Sequence, residues 1–203
     1  MQTKTLTTYS YDELSREAQE KAREWYTTDL ELDSDCVIAD FVEVCALMGV
    51  GIDTSPVRLM RGGSRQEPCV YWGDGARFDA SYRHRIGAVK AVKAHAPNET
   101  ELHRIARSLQ DLQKRHFYQL RGTVCQSGRY CHADTMGAGL VDYRTDEDMP
   151  DDVTEHFLEL MRDLARWLYK QLERHWEYQF DAETVAENIR INDYQFNENG
   201  DIA

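Results

Sequence analysis

No stretch of the chain holds the roughly 18 unbroken apolar residues that a membrane-spanning helix needs, so no such helix is expected. The opening Met1-Gln2-Thr3-Lys4 has no apolar core of the secretory kind, so no signal peptide is expected either. Only 4 prolines and 12 glycines occur in 203 residues, too few for a fibrous or low-complexity chain. The 5 cysteines (Cys36, Cys45, Cys69, Cys125, Cys131) are an odd number with no paired spacing. They read as reduced thiols of an intracellular protein rather than a disulfide framework. The G-x-S-x-G, H-E-x-x-H and Walker patterns are all missing. The expectation is a protein that is not an enzyme and takes no cofactor and no metal.

What is present is globular: 41% apolar, 10% aromatic and 30% charged. That composition is too rich in aromatics for a disordered chain, and the length suits a single domain over 1–203. The 24 basic and 36 acidic residues leave a net charge of −12, unevenly spread. Residues 1–57 carry net −8, residues 58–129 net +8 and residues 130–203 net −12. Two readings stay open. The basic middle packs against the acidic ends and neutralises them, or one face stays acidic and another basic. An acidic face suits a basic groove on a partner; a basic face suits phosphates.

Periodicity outlines the elements. Ser10-Tyr11-Asp12-Glu13 has the capping-box pattern, and Leu14, Ala18, Ala22 and Trp25 follow at helical spacing, predicting a helix over 11–29. Val37, Ile38, Phe41, Cys45 and Met48 predict a second over 34–48, stopped at Gly49. A strand from Ile52 to Met60 is interrupted by Pro56. Val70-Tyr71-Trp72, the Gly73-Asp74-Gly75 turn and the alternation of Ala76, Phe78, Ala80 and Tyr82 with Arg77, Asp79 and Ser81 predict a hairpin. Asn98 to Glu101 repeats the capping box before a helix over 99–114. Tyr118, Leu120, Gly122 and Val124 alternate as a strand, Ser127-Gly128 turn, and Arg129 to Thr135 is the expected hairpin partner. The longest helix is predicted over 152–178, capped by Asp152 and Glu155. Its apolar stripe runs through Val153, Phe157, Leu160, Met161, Leu164, Trp167, Leu168, Leu172 and Trp176. A last helix over 182–191 precedes a docking segment at Tyr194 and Phe196. The absence of a βαβ rhythm gives an α+β class: an antiparallel sheet of four to five strands, several helices and a long C-terminal helix.

Chemistry-bearing residues are few. Cys125-x5-Cys131-His132 has no second pair to complete a zinc set, and Cys125 and Cys131 are expected as buried neighbours across a hairpin. Cys131 and His132 point to opposite faces of a strand, so they do not form a nucleophile–base pair. Gly73-Asp74-Gly75 lacks the Lys-Ser/Thr of a phosphate loop. Asp146, Asp148, Asp151 and Asp152 lack the spacing of a calcium loop. Arg83, Arg85, Lys90 and Lys93 form a basic run, beside which Phe78 and Tyr82 are expected to face the core.

Several segments nevertheless form an ordered set. Tyr11-Asp12-Glu13-Leu14-Ser15-Arg16-Glu17-Ala18-Gln19-Glu20-Lys21-Ala22-Arg23 resembles the opening of a family of small phage and prophage proteins. Trp72-Gly73-Asp74-Gly75-Ala76-Arg77-Phe78 resembles that family's Q-G-D-G-x-x-F segment, with Trp72 where Gln is more usual. Gly128-Arg129-Tyr130-Cys131-His132 is similar to its G-R-Y-x-H element, and Asn192 to Gly200 is similar to its closing N-x-Y-x-F-x-x-x-G. Some members of that family carry an antitoxin label. The resemblance implies a phage-encoded accessory protein in the bacterial host cytoplasm, and it implies no catalytic residues.

Together with the net charge, this leads to an expected inhibitor of a bacterial defence complex, such as a CRISPR effector, acting by acidic mimicry of DNA. The expected partner-binding residues are Asp142, Asp146, Glu147, Asp148, Asp151 and Asp152, then Asp29, Glu31, Asp33 and Asp35. The alternative is an antitoxin-like or regulatory nucleic-acid-binding protein that contacts phosphates through Arg83, Arg85, Lys90 and Lys93 in the basic 58–129 segment.

Overall fold

Short-range hydrogen bonding decides where the first helix starts. In the computed structural model, which describes residues 7–28, 30–31, 33–60, 62–126 and 130–203, Glu13 accepts both the N–H and the Oγ–H of Ser10, each at 2.8 Å. That half of the capping box closes only a three-residue 3-10 turn, Tyr11–Glu13, because Leu14 then turns extended. The α-helix proper, α1, runs Arg16–Thr28, with Ser15 Oγ accepting the N–H of Ala18. The helix predicted from residue 11 therefore begins five residues later, at a second serine cap.

The remaining elements follow in order. They are α2 (Asp35–Met48), β1 (Val50–Ile52), β2 (Thr54–Arg58), β3 (Ser64–Pro68), β4 (Val70–Trp72), β5 (Ala76–Phe78) and β6 (Ala80–Arg83). Then come α3 (Ala88–His95), α4 (Thr100–Arg115), β7 (Leu120–Gln126), β8 (Met136–Asp142), α5 (Asp151–Phe180) and α6 (Ala182–Ile191). The class is α+β. A four-stranded antiparallel sheet has the order β1-β6-β7-β8, and β2-β3 and β4-β5 form two separate hairpins. Gly49 ends α2 at φ +84°, where a Cβ would stand 2.0 Å from the Arg83 carbonyl oxygen. Glycine there lets the chain turn tightly from helix into sheet.

Several expectations need correction. Pro56 does not merely interrupt one strand: Val50 to Ile52 pairs with β6, whereas Thr54 to Arg58 pairs with β3. Arg77 does not alternate outward but is buried with its neighbours Ala76 and Phe78. The segment 88–95, read as part of a basic run, is a helix; its Ala-rich spacing and the following Pro97 were the available signals. The box at Asn98 to Glu101 does not form: Glu99 holds the N-cap position and accepts the Trp167 indole N–H at 2.8 Å. The partner of β7 is residues 136–142 rather than 129–135, because Ala133–Thr135 is a 3-10 turn. The expected turn at Ser127-Gly128 lies outside the described residues. The predicted stripe of α5 is buried from Phe157 to Leu172, but Val153 is only partly buried and Trp176 is half exposed and stacks on Phe180.

The contacts divide the chain into two compact units, 35–172 and the joined ends 1–34 with 173–203. In the first, Phe157, Leu164 and Leu168 of α5, Ile105 and Leu109 of α4, and Phe41 of α2 pack with Phe78, Tyr82 and Leu140 of the strands. Gly122 lies under the Phe157 ring; a Cβ there would come within 2.7 Å of it. An ion-pair network borders this core. Arg104 of α4 reaches Glu101 at 2.6 Å and Asp163 of α5 at 2.5 Å, and Arg166 reaches Asp163, Glu159 and Asp134. The Glu101 hydrogen bond raises the Arg104 pKa, and the same bond lowers that of Glu101.

In the second unit, Tyr11, Leu14, Ala18 and Ala22 pack with Val185, Ile189 and Phe196. Trp25 meets Tyr194 and Phe196 edge-on, at 5.3 and 5.8 Å between centroids. Tyr9 and Phe196 form a reciprocal backbone pair, as the docking segment predicts. Gly200 sits at φ +85°, and a Cβ there would lie 2.2 Å from the Ala18 carbonyl oxygen.

Candidate functional site

Three regions of the 35–172 unit gather the residues singled out by sequence. The first is acidic. Strand β8 ends at Asp142, whose Oδ1 accepts the Arg144 N–H at 2.8 Å. Asp146 follows at φ +60° and donates its N–H back to the Asp142 carbonyl at 2.8 Å. Its carboxylate takes the Arg121 guanidinium at 2.9 Å. Glu147, Asp148, Asp151 and Asp152 are exposed, and their carboxylates have no partner among the described residues. Asp151 and Asp152 lie in the first turn of α5, where the helix macrodipole favours negative charge. Glu155, expected as a cap, pairs instead with Arg162 at 3.0 Å.

The other acidic group is not gathered in the same way. Asp29 lies outside the described residues. Glu31 and Asp33 are exposed and belong to the unit of the chain ends, whereas Asp35 opens α2 in the larger unit. The Asp33 carbonyl is hydrogen-bonded to the His175 imidazole at 2.7 Å.

The second region is basic. Arg83 stands directly opposite Arg121 in the β6–β7 register. Like charges so placed repel, and Asp146 relieves the repulsion by holding Arg121. Arg85 donates to the Ala46 carbonyl at 2.6 Å, so its guanidinium serves the carbonyl end of α2. Lys90 and Lys93 lie one turn apart on α3 and are exposed, with no ion-pair partner among the described residues. With Gly87, Val89 and Gln110 they line an open recess of about 430 Å³.

The third region joins two of the segments that carry the sequence resemblance. Gly73 donates its N–H to the Gly75 carbonyl, closing the turn. A Cβ on Gly75 would lie 3.0 Å from the Cys131 carbonyl oxygen and from the His132 ring, so glycine permits this approach. The buried Arg77 guanidinium then donates to the Tyr130 carbonyl at 2.7 Å and lies over the Tyr71 ring at 5.2 Å. Arg77 turns inward because its hydrogen-bond acceptor comes from a segment more than fifty residues away, which no local alternation reveals. Cys125 is exposed and pairs in register with Gly137, so it is not the buried cross-strand neighbour of Cys131. Phe78 and Tyr82 face the core as expected. Burial pushes the Tyr82 phenol up to about 12.

A family model described as a domain of unknown function, DUF8835, matches residues 34–182. The chain belongs to the DUF8835 family. No curated protein and no solved structure matches it. The DUF8835 match spans the whole of the larger unit and with it all three regions described above. Tyr11 to Arg23 and Asn192 to Gly200, which carry the resemblance at the two ends, lie outside it. No helix among the described residues is long and apolar enough to cross a membrane.

Proposed function

We propose that this DUF8835 protein is a phage-encoded accessory protein. In this reading it binds and inhibits a bacterial defence complex, for example a CRISPR effector, in the host cytoplasm. The acidic segment 142–152 docks in a groove built for DNA phosphates. The supporting observation is that Glu147, Asp148, Asp151 and Asp152 are four exposed carboxylates without internal partners in one short stretch. Such a stretch attracts a Lys- and Arg-lined groove and speeds association with it. The action is occupancy and not catalysis. Reversing the four to Lys should abolish inhibition while circular dichroism stays native and the melting temperature falls only modestly, through the loss of the two acidic charges at the start of α5. Inhibition retained by that variant would sink the charge-mimicry reading. Affinity capture from defence-carrying cells, with mass spectrometry, identifies the target.

A second reading is favoured by the recess. Lys90 and Lys93 are exposed ammonium groups without ion-pair partners beside a concave surface, as an antitoxin-like or regulatory nucleic-acid binder requires. Arg83 is exposed at the nearby end of β6, while Arg85 is committed to α2. Binding to labelled nucleic acid that falls steeply with salt supports this reading.

A further inference from the structure

Helix α4 ends in a turn whose side chains are poorly matched to its backbone. Phe117 and Tyr118 stand at φ 56° and 60°, in the left-handed region where glycine is the usual residue. The turn itself is an ordinary helix stop: Phe117 donates its N–H to the Lys114 carbonyl and Tyr118 to that of Gln113. Glycine or asparagine closes such a turn at less conformational cost than two successive aromatics. Burial does not offset that cost, because Phe117 is 79% exposed and Tyr118 42%. Strain concentrated on exposed aromatic side chains points to a use for those side chains outside the fold.

Their surroundings indicate the ligand. The Tyr118 ring is held by the His84 imidazole at 4.5 Å. Three residues beyond His84, Gly87 forms the lip of the recess that Lys90 and Lys93 line. On the other wall Gln110 lies one helical turn from Lys114 on the same face, and Phe117 closes that helix. The exposed rings thus follow the end of the helix that supplies Gln110 to the recess, and Tyr118 contacts the segment that leads from β6 into its Gly87 side. The net charge of −12 is spread over the whole chain. At physiological salt charges more than about 8 Å away are largely screened, so the local lysines decide whether phosphate is accepted.

We propose that the Phe117–Tyr118 turn is a stacking platform for unpaired bases of a single-stranded nucleic acid whose phosphates follow Lys90, Lys93 and Lys114. The proposal rests on the second reading for its phosphate contacts and adds the base contact. Every base presents a π-face, so stacking on exposed aromatics binds single strands with little sequence preference. A duplex keeps those faces within its own stack and gains only the phosphate contacts.

The test is fluorescence anisotropy of the full chain with labelled DNA and RNA strands of about 12 nucleotides, a length within the usual range of such sites, and with the matching duplex. Single strands should bind more tightly than the duplex. Replacing Lys90 and Lys93 with Gln should flatten the log–log salt dependence by about 1.4 for a single strand. Phe117→Gly should weaken single-strand binding about tenfold, while the melting temperature holds or rises because glycine relaxes the left-handed backbone. Loss of binding in a variant at least as stable as the parent cannot come from unfolding. Single-strand affinity unchanged by Phe117→Gly, with the salt dependence still flattened in the lysine variant, overturns the stacking platform and leaves the second reading standing. No binding to any of the three probes overturns both.

Discussion

The two units of this protein are held together in different ways. Among the described residues the unit 35–172 packs twenty-nine buried side chains around a four-stranded sheet and the helices against it. The unit of the chain ends packs eight and adds edge-to-face aromatics, a backbone pair at Phe196 and ion pairs such as Lys21–Asp201 and Arg190–Asp12. Hydrophobic stabilisation grows with the area removed from water, so the larger unit has the greater reserve. The smaller depends on a few positions, each of which matters more. The DUF8835 match follows this division, spanning the larger unit and stopping soon after it.

The sharpest way to break the comparison is to remove one large side chain from each core. Phe157→Ala should cost about 3–5 kcal/mol, because the fully buried ring packs on Tyr82 and over Gly122. Urea denaturation should show the fall, with hydrogen exchange accelerated through 35–172. Phe196→Ala removes an equally buried ring from the smaller core. Its effect should stop at that unit's own stability: exchange should rise in 7–28 and 173–203 while the α4 and α5 amides up to residue 172 stay protected. Simultaneous loss of protection in both units would show that they unfold as one.

A base titration probes the larger core from within. Tyr82 is held protonated to about 12 by burial, against an ordinary value of 10.0. A raised folded pKa means that its contribution is complete below pH 10 and is lost as pH rises towards 12. The shift corresponds to about 2–3 kcal/mol, readable as a falling denaturation midpoint over that window. Tyr82→Phe should flatten the fall. Gly200→Ala tests the smaller unit in a gentler way. It places a Cβ against the Ala18 carbonyl at a positive φ, and should cost about 1–3 kcal/mol, again with exchange rising only at the chain ends.

The smallest effect lies on the surface of the larger unit. Hydrogen bonds from Arg104 and Arg162 lower the pKa values of Glu101 and Glu159. Depressed carboxylates stabilise above their ordinary range and lose that contribution as pH falls below about 4.5, the ordinary value. Solvent-exposed pairs contribute little singly, about 0.2–1 kcal/mol. Arg104→Met should therefore shift stability slightly at pH 7 and by less as pH falls through the acid range.

Most elements were legible in the sequence because their signals are local. The helical stripe from Phe157 to Leu172, the Gly49 stop, the Gly73-Asp74-Gly75 turn and the α6 helix all follow from spacing, capping or glycine chemistry within a few residues. The misses share one cause, which is competition between local signals that only longer-range contacts resolve. Ser10 and Ser15 both offer caps, and the helix takes the second. Glu99 and Glu101 turn from capping to Trp167 and Arg104. Arg77 is drawn inward by Tyr130, and β7 pairs with 136–142 because a 3-10 turn intervenes.

The candidate sites divide along the same line. That residues 142–152 are acidic and residues 83–93 basic is a property of the sequence alone. Which charges remain available was decided by tertiary structure, because a charge is neutralised by whatever the fold brings within a few ångströms. Arg121 takes Asp146 and Ala46 takes Arg85, leaving Glu147 and Asp148 on one side and Lys90 and Lys93 on the other. Tyr118 reads as the start of a strand in the sequence, but the strand begins at Leu120, and Phe117 and Tyr118 form the turn before it. Only the chain's need to turn from α4 into β7, with Gln113 bonded to both backbone groups of Leu120, holds them left-handed at the surface. Composition determined the class of fold and the charge of each segment; the packing of distant segments determined which groups face solvent, because burial and pairing are set by neighbours in space rather than in sequence.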